Sequence, residues 1–287
     1  MTDAATTAAG AGAGRPVALP RTSGPAAWAR RNRRPLLGAL GMLLFLAAWQ
    51  ISVPLVGMSE YFYPSPARVF ESFVELVEKG MLPVYFLDSL WRYALGVGIG
   101  AAIGIVLGIA IGLSPFLSRI FGPFINFLYA IVESAWIALF VVWWGYGLKV
   151  IIVLLVYVMV FPLLYNTIAG VRLVPQVYIN AARTLGATRW QVLTNVILPG
   201  ALPNIFTGLR IGAGFAFRGL IFAEMLAASS GIGFLIYEGA STQNTARTIV
   251  GMISMGLMWL VIDNVYLKPV ERMTVEHWGL LVTGDRK

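Results

Sequence analysis

No cysteine occurs in the 287 residues, and His277 is the one histidine. The first absence excludes a disulfide frame and thiolate chemistry. The two together leave no nitrogen or sulfur ligand set for a metal. Charge is scarce as well: Asp, Glu, Lys and Arg make up 12% of the chain, where a soluble domain carries about 25%. Phosphate-binding sequence is missing too. The glycines of 10–14, GAGAG, lack the G-x-x-x-x-G-K-[ST] spacing, and no strand-like run precedes them. A single histidine near the C-terminus cannot complete a Ser-His-Asp constellation. These gaps exclude ATP hydrolysis, nucleophilic catalysis and a resident cofactor on this chain; by itself it is not an enzyme.

What is abundant is apolar surface. Hydrophobic residues reach 58% and the mean hydropathy is +0.78. Six stretches are long enough to span a bilayer, which takes about 20 apolar residues: 36–53, 93–113, 120–143, 150–168, 202–228 and 249–266. The expectation is an all-α membrane protein with six transmembrane helices at 35–270, a disordered basic tail at 1–34 and a second tail at 271–287. The arginines before the first stretch stand too far into the chain for a secretion signal, and no cleavage site follows, so that stretch is read as a retained span.

The net charge of +8 has two readings, nucleic acid or membrane topology. With the N-terminus inside, fourteen Lys and Arg fall on inside segments and five outside, with Arg210 and Arg218 in the fifth span. That bias places both termini in the cytoplasm and removes the need for a nucleic-acid partner.

Local signals add detail. Ser65 caps a helix opening with Pro66, with Phe70, Phe73, Val74 and Val77 on one face and Gly80 as its stop, which reads as an interfacial helix lying on lipid. Gly100, Gly104, Gly108 and Gly112 recur every four residues, so one face of span two is smooth enough for another helix to pack closely. Gly98-Ile99-Gly100 is no dinucleotide site, because it follows no strand. Pro162 removes one donor inside span four and is expected to kink it.

The most informative stretch is polar. In 180–203, NAARTLGATRWQVLTNVILPGALP, a short helix from Pro175 ends at Gly186, where a left-handed residue suits a helix end. Thr188 and Gln191 have the spacing of a capping box that opens a second helix. Ala181 and Ala182 keep the first helix thin, so another surface can approach. With Asn180, Ala181, Ala182, Gly186, Ile197, Leu198 and Pro199, the stretch resembles the cytoplasmic coupling loop of ABC importer permeases, E-A-A…G…I-x-L-P, with Asn180 in place of the acid. Ala223-Glu224-Met225 followed by Ser230-Gly231-Ile232-Gly233 is similar to a second pattern, A-E-M…S-G-x-G, of the nitrate, sulfonate and taurine branch. The resemblance runs over 64–266 and implies a type I ABC importer permease fold with its core at 84–266 and coupling loop at 172–201. It implies a multi-pass protein of a prokaryotic inner membrane. It also implies a separate ATP-binding cassette subunit, holding ATP and Mg and docked on Asn180, Ala181, Ala182, Arg183, Gly186, Ala187, Arg189 and Trp190. An extracytoplasmic solute-binding protein and a homodimer follow from the same resemblance. The implied substrate is a small anion. The alternative is a self-sufficient secondary carrier or channel, which should show inverted repeats; the sequence has no convincing halves. A non-transporting membrane scaffold is the third reading.

Three ionisable residues lie within the spans: Glu133, Arg218 and Glu224. Each costs about 2.5–3.5 kcal/mol at mid-helix unless paired or wet. Glu133 is 13 residues into its span and Arg218 about 16 into its own, both roughly 20–24 Å deep at 1.5 Å per residue. They are expected either to pair or to line the translocation path with Trp136, while Trp143 and Trp144 form an interfacial belt. Glu224 either orders an outer gate or caps the turn after its span.

Overall fold

The computed structural model of the chain describes residues 33–269, and every regular element among them is helical. The expectations for 271–287, and for all but the last two residues of 1–34, fall outside the described residues. Residues before Val56 form one compact unit and those from Val56 onward another. The first contains most of α1 (Arg33–Val56), whose apolar part, Leu40–Val56, is shorter than a comfortable span.

The second unit opens with α2 (Pro66–Glu78). Ser65 accepts from the Arg68 N–H at 3.2 Å, and Lys79 reaches back to Glu75 at 2.5 Å. The expected single apolar face is in fact divided. Val69, Ser72 and Leu76 are buried, whereas Phe70 is 66% exposed and Val77 looks outward with it. A helix packed on one side and apolar on another suits a position between protein and lipid.

Among the described residues, four long apolar helices carry the bundle: α3 (Met81–Leu113), α6 (Leu148–Leu173), the continuous run Arg189–Ala227, and Thr245–Leu267. The third expected span is not one helix. It is α4 (Pro115–Ala130) and α5 (Glu133–Trp144), bent by 92° across Ile131 and Val132, both extended. The segment between the expected spans 202–228 and 249–266 contains a further helix, α10 (Ile232–Ser241), with Ile232, Gly233, Leu235 and Gly239 buried. The last run consists of α11 (Thr245–Val261), capped by Asn244, and a π segment, Ile262–Leu267.

Helix α6 is central: 61% of its most apolar window is buried, about twice the share in the other long helices. Lipid tails are as apolar as leucine, so close packing rather than water exclusion must hold it there. The glycines supply that closeness. A Cβ placed at Gly100 would stand 2.7 Å from Cβ of Met159, at Gly104 3.3 Å from that of Leu163, at Gly108 2.5 Å from that of Thr167, and at Gly112 3.0 Å from that of Val171. Partner numbers rise together in steps of four, so α3 and α6 run parallel. On the opposite side, Gly208 meets Asn166 and Gly212 meets Met159, rising against falling numbers. The helix that carries them, α9 (Leu198–Ala227), is therefore antiparallel to α6. α6 continues through Pro162 without interruption, and Asn166 Nδ2 donates to the Pro162 carbonyl at 2.8 Å.

Gly108→Ala is expected to cost about 1–3 kcal/mol, because backbone must shift to admit one methyl group. Gly98→Ala, with nothing within 4 Å of the new Cβ, should be neutral. Unfolding midpoints of the two variants in detergent check this.

Candidate functional site

The elbow between α6 and α9 builds itself from local rules. Helix α7 (Gln176–Thr184) follows Pro175, which sits at the N-cap rather than within the first turn. Gly186 adopts φ +85°, which lets its N–H reach the Arg183 carbonyl at 3.0 Å and the Ala187 N–H reach that of Ala182 at 3.0 Å. The Thr188 N–H then donates to Gln191 Oε1 at 2.8 Å, and the Gln191 N–H to Thr188 Oγ1 at 3.3 Å, a reciprocal cap for α8 (Arg189–Val192). A π segment, Leu193–Ile197, follows directly, and the Leu198 N–H bonds to the Leu193 carbonyl. The register shift comes just before Pro199, which has no N–H to give. Arg189–Ala227 is thereby one continuous run of 39 residues, about 58 Å at 1.5 Å per residue.

Ile179 and Val192 are buried and peg the elbow to the core, with Ala182 and Ala187 packed against it. Asn180, Ala181, Arg183, Gly186 and Arg189 are exposed. Tyr178, Leu185 and Trp190 are exposed apolar side chains, Leu185 at 88%. An apolar rim on a polar elbow is a contact surface in search of a partner.

At the opposite end of the bundle, Glu224 is completely buried. Ser89 Oγ lies 2.8 and 2.9 Å from its two oxygens, Arg92 Nη1 donates to Oε1 at 2.9 Å, and the Gly233 N–H donates to Oε2 at 2.9 Å. Arg92 also reaches the Ser230 carbonyl at 2.6 Å and Ser230 Oγ at 2.8 Å, and Ser230 Oγ donates to Asp88 Oδ2 at 2.6 Å. The Ile232 N–H donates to Ser89 Oγ at 2.8 Å. The knot ties α3, α9 and the start of α10 together. It also explains the glycines: a Cβ at Gly231 would lie 2.5 Å from Glu224 Oε1, and one at Gly233 2.7 Å from Glu224 Cβ. Glu224 thus accepts from the side chains and backbone that shape the turn after its helix. Sequence reasoning missed Ser89, Arg92 and Asp88. The available signal was three polar residues at i, i+1 and i+4 on one turn of an apolar helix.

The break between α4 and α5 borders a cavity of about 260 Å³ lined by Tyr129, Ile131, Glu133, Tyr157, Phe161 and Phe215. Tyr157 donates to the Leu128 carbonyl at 2.6 Å, which at the break also accepts the Ile131 N–H at 3.1 Å. Glu133 opens α5, where the positive end of the helix dipole favours a carboxylate. Trp136 packs between Phe140 and Tyr157, with ring centroids 5.6 and 5.2 Å away. Arg218 is exposed, its guanidinium 5.9 Å from the centroid of Phe215. Among the described residues, no ion pair joins Glu133 to Arg218. The depth estimate assumed a straight third span, and the bend removes that assumption. Glu133→Gln and Arg218→Gln should therefore act additively on stability, with a coupling below about 0.5 kcal/mol in a double-mutant cycle.

Residues 100–267 match the family model for the inner membrane component of binding-protein-dependent transport systems. The chain belongs to that family. This permease is 35% identical over 237 residues to the taurine transport system permease protein of Escherichia coli, covering 79% of this chain and 84% of the relative. It is 32% identical to the nitrate import permease protein of a Synechocystis species over 78% and 84% of the two chains, and 33% identical to the riboflavin transport system permease protein of Chloroflexus aurantiacus over 81% and 87%. Among solved structures, an inward-facing crystal form of the MetNI methionine ABC transporter matches with a TM-score of 0.52 at 20% identity, covering 66% of this permease and 96% of that chain. At that identity the likeness is one of fold. The family membership makes this permease a multi-pass membrane protein and the translocation component of an importer rather than an enzyme. It implies an ATPase subunit and a solute-binding protein as partners, and it speaks against the self-sufficient carrier. The one bent pair, α4 with α5, has no counterpart among the described residues that would make an inverted repeat.

Proposed function

We propose that two copies of this permease form the path of an ATP-driven importer for a small oxyanion of the nitrate, sulfonate or taurine kind. Both termini and the elbow face the cytoplasm, a reading supported by the excess of Lys and Arg on that side. The ATPase subunit, which carries ATP and Mg, seats on Asn180, Ala181, Ala182, Arg183, Gly186, Ala187, Arg189 and Trp190. An extracytoplasmic binding protein hands the solute to the far side. The single observation that carries this proposal is the elbow: self-capped, rimmed by exposed apolar side chains, and continuous with a membrane helix. Closure of the ATPase pair pushes two such elbows, and each push is transmitted along Arg189–Ala227 to the Glu224 knot.

Glu133, Trp136 and Arg218 border the path on this proposal, with Glu224 holding its outer end. Arg218 supports an anionic solute, since it is exposed and unpaired with Glu133. The names of the relatives, taurine and nitrate among them, point the same way.

The test is uptake by proteoliposomes containing this permease, the ATPase encoded beside it and the matching binding protein, with nitrate, taurine and an alkanesulfonate as solutes. Uptake that needs ATP and all three proteins is the expected result. Uptake by the permease alone, down a gradient and without ATP, would sink the proposal.

A further inference from the structure

The ends of α3, α4, α6 and α7 enclose a second cavity, of about 450 Å³, beside the elbow. Arg119, Arg172 and Arg183 line it, with Ser118 and Gln176 between them, and among the described residues no acidic side chain borders it. The imbalance extends well beyond the cavity: from Asp88 to Glu224 the only acidic residue in the sequence is Glu133, which lies at the other cavity. Three arginines lining one concavity repel each other, and the low-dielectric walls concentrate their field. Arg172 is held in place, its Nη2 donating to Ser118 Oγ at 2.6 Å. A general excess of cations on one side of a membrane accounts for the number of arginines. It does not account for their convergence on one cavity or for the bond that fixes one of them.

We infer that this cavity is a binding site for a phosphate-type oxyanion. Arginine forks match such oxygens in pairs and remain charged at any pH the protein meets. Two sources share the chemistry: the headgroup of an anionic phospholipid, or a free oxyanion on the elbow side. The surroundings favour the headgroup. Leu113, Phe116, Ile120 and Leu173 stand exposed next to the arginines, between 44% and 70% accessible, and offer an apolar surface to acyl chains just where a headgroup would sit. Basic pockets between membrane helices take lipid headgroups in this way. The site does not depend on what the permease transports.

The experiment uses the full chain in a neutral detergent and has two arms. Native mass spectrometry compares retention of phosphatidylglycerol with phosphatidylcholine; a thermal-unfolding titration with inorganic phosphate, in the absence of lipid, probes the free ion. The expected result is retention of phosphatidylglycerol over phosphatidylcholine by about tenfold or more, at about fivefold per arginine. Arg119→Gln combined with Arg172→Gln should cut the preference to about fivefold or less, the share of Arg183, which is left intact because it also belongs to the elbow. The pair Arg119→Lys with Arg172→Lys keeps charge but not the fork, and should retain part of the preference while showing that the fold survives. A saturable rise of the unfolding midpoint with phosphate that needs the same two arginines, without a lipid preference, assigns the site to the free ion. No effect in either arm, or an effect unchanged in the Gln pair, overturns the site.

Discussion

Glu224→Ala is expected to cost about 3–5 kcal/mol of stability, the range for breaking a buried pair by removing one partner. The reason lies in what is left behind. Arg92, with a side chain only 12% exposed, would keep its charge and lose its 2.9 Å contact. Ser89 and the Gly233 N–H would lose their acceptor in a fully buried place. Asp88 does not replace the carboxylate, because its oxygen stands 3.8 Å from Arg92 Nη2. Glu224→Gln should fall between wild type and Ala: one amide oxygen can still accept, but the amide nitrogen would face either the Arg92 guanidinium or the Gly233 N–H. Arg92→Met with Glu224→Leu should recover part of the loss, since neither charge is then buried alone, while Ser89 and the Gly233 N–H still lack their acceptor. Unfolding midpoints in detergent measure the series, and protease sensitivity of α10 reports whether its start has come loose. An Ala variant that melts with wild type would show that the knot holds nothing.

The knot illustrates what could and could not be read from the chain. The elbow was legible because its causes are local: a glycine where a left-handed turn is needed, and Thr188 three residues ahead of Gln191. The packing face of α3 was legible because glycines four apart leave no other interpretation in an apolar helix. The knot joins Ser89 to Glu224 across 135 residues, and no pattern within either segment carries that distance. Glu224, Ser230 and the glycines were visible as a motif, but not their partners on α3. The bend at Ile131 and Val132 was hidden differently. The stretch Tyr129-Ala130-Ile131-Val132 contains neither glycine nor proline, so it reads as uninterrupted helix. Two adjacent β-branched residues weaken that reading a little, but what stabilises the break is the Tyr157 hydroxyl arriving from α6. α10 was missed because the polar residues around it masked a short helix whose apolar side chains are buried against the bundle.

Gly186→Val is expected to leave the membrane helices intact and to weaken association of the ATPase subunit about tenfold or more. Nothing lies within 4 Å of a Cβ built at Gly186, so no clash would be introduced; the penalty is the backbone angle itself. A left-handed conformation costs an ordinary L-residue roughly 1–2 kcal/mol, and a β-branched one belongs at the upper end. If the docked partner needs the elbow in this shape, apparent affinity falls with the fraction of elbows that keep it. Losing the shape also releases the two turn bonds from Gly186 and Ala187, and with them the angle between α7 and α8. Stability should change little, because Ile179 and Val192 still anchor the segment. Gly186→Asn separates conformation from contact: Asn tolerates the left-handed region, so it should dock nearly as well as wild type despite its larger side chain. Co-purification with the ATPase and ATP-driven uptake are the measurements. Loss with Val and retention with Asn assigns the effect to the turn, whereas equal loss with both would mean that the partner's surface presses directly on this position, and normal docking with Val would remove the elbow's geometry from the mechanism.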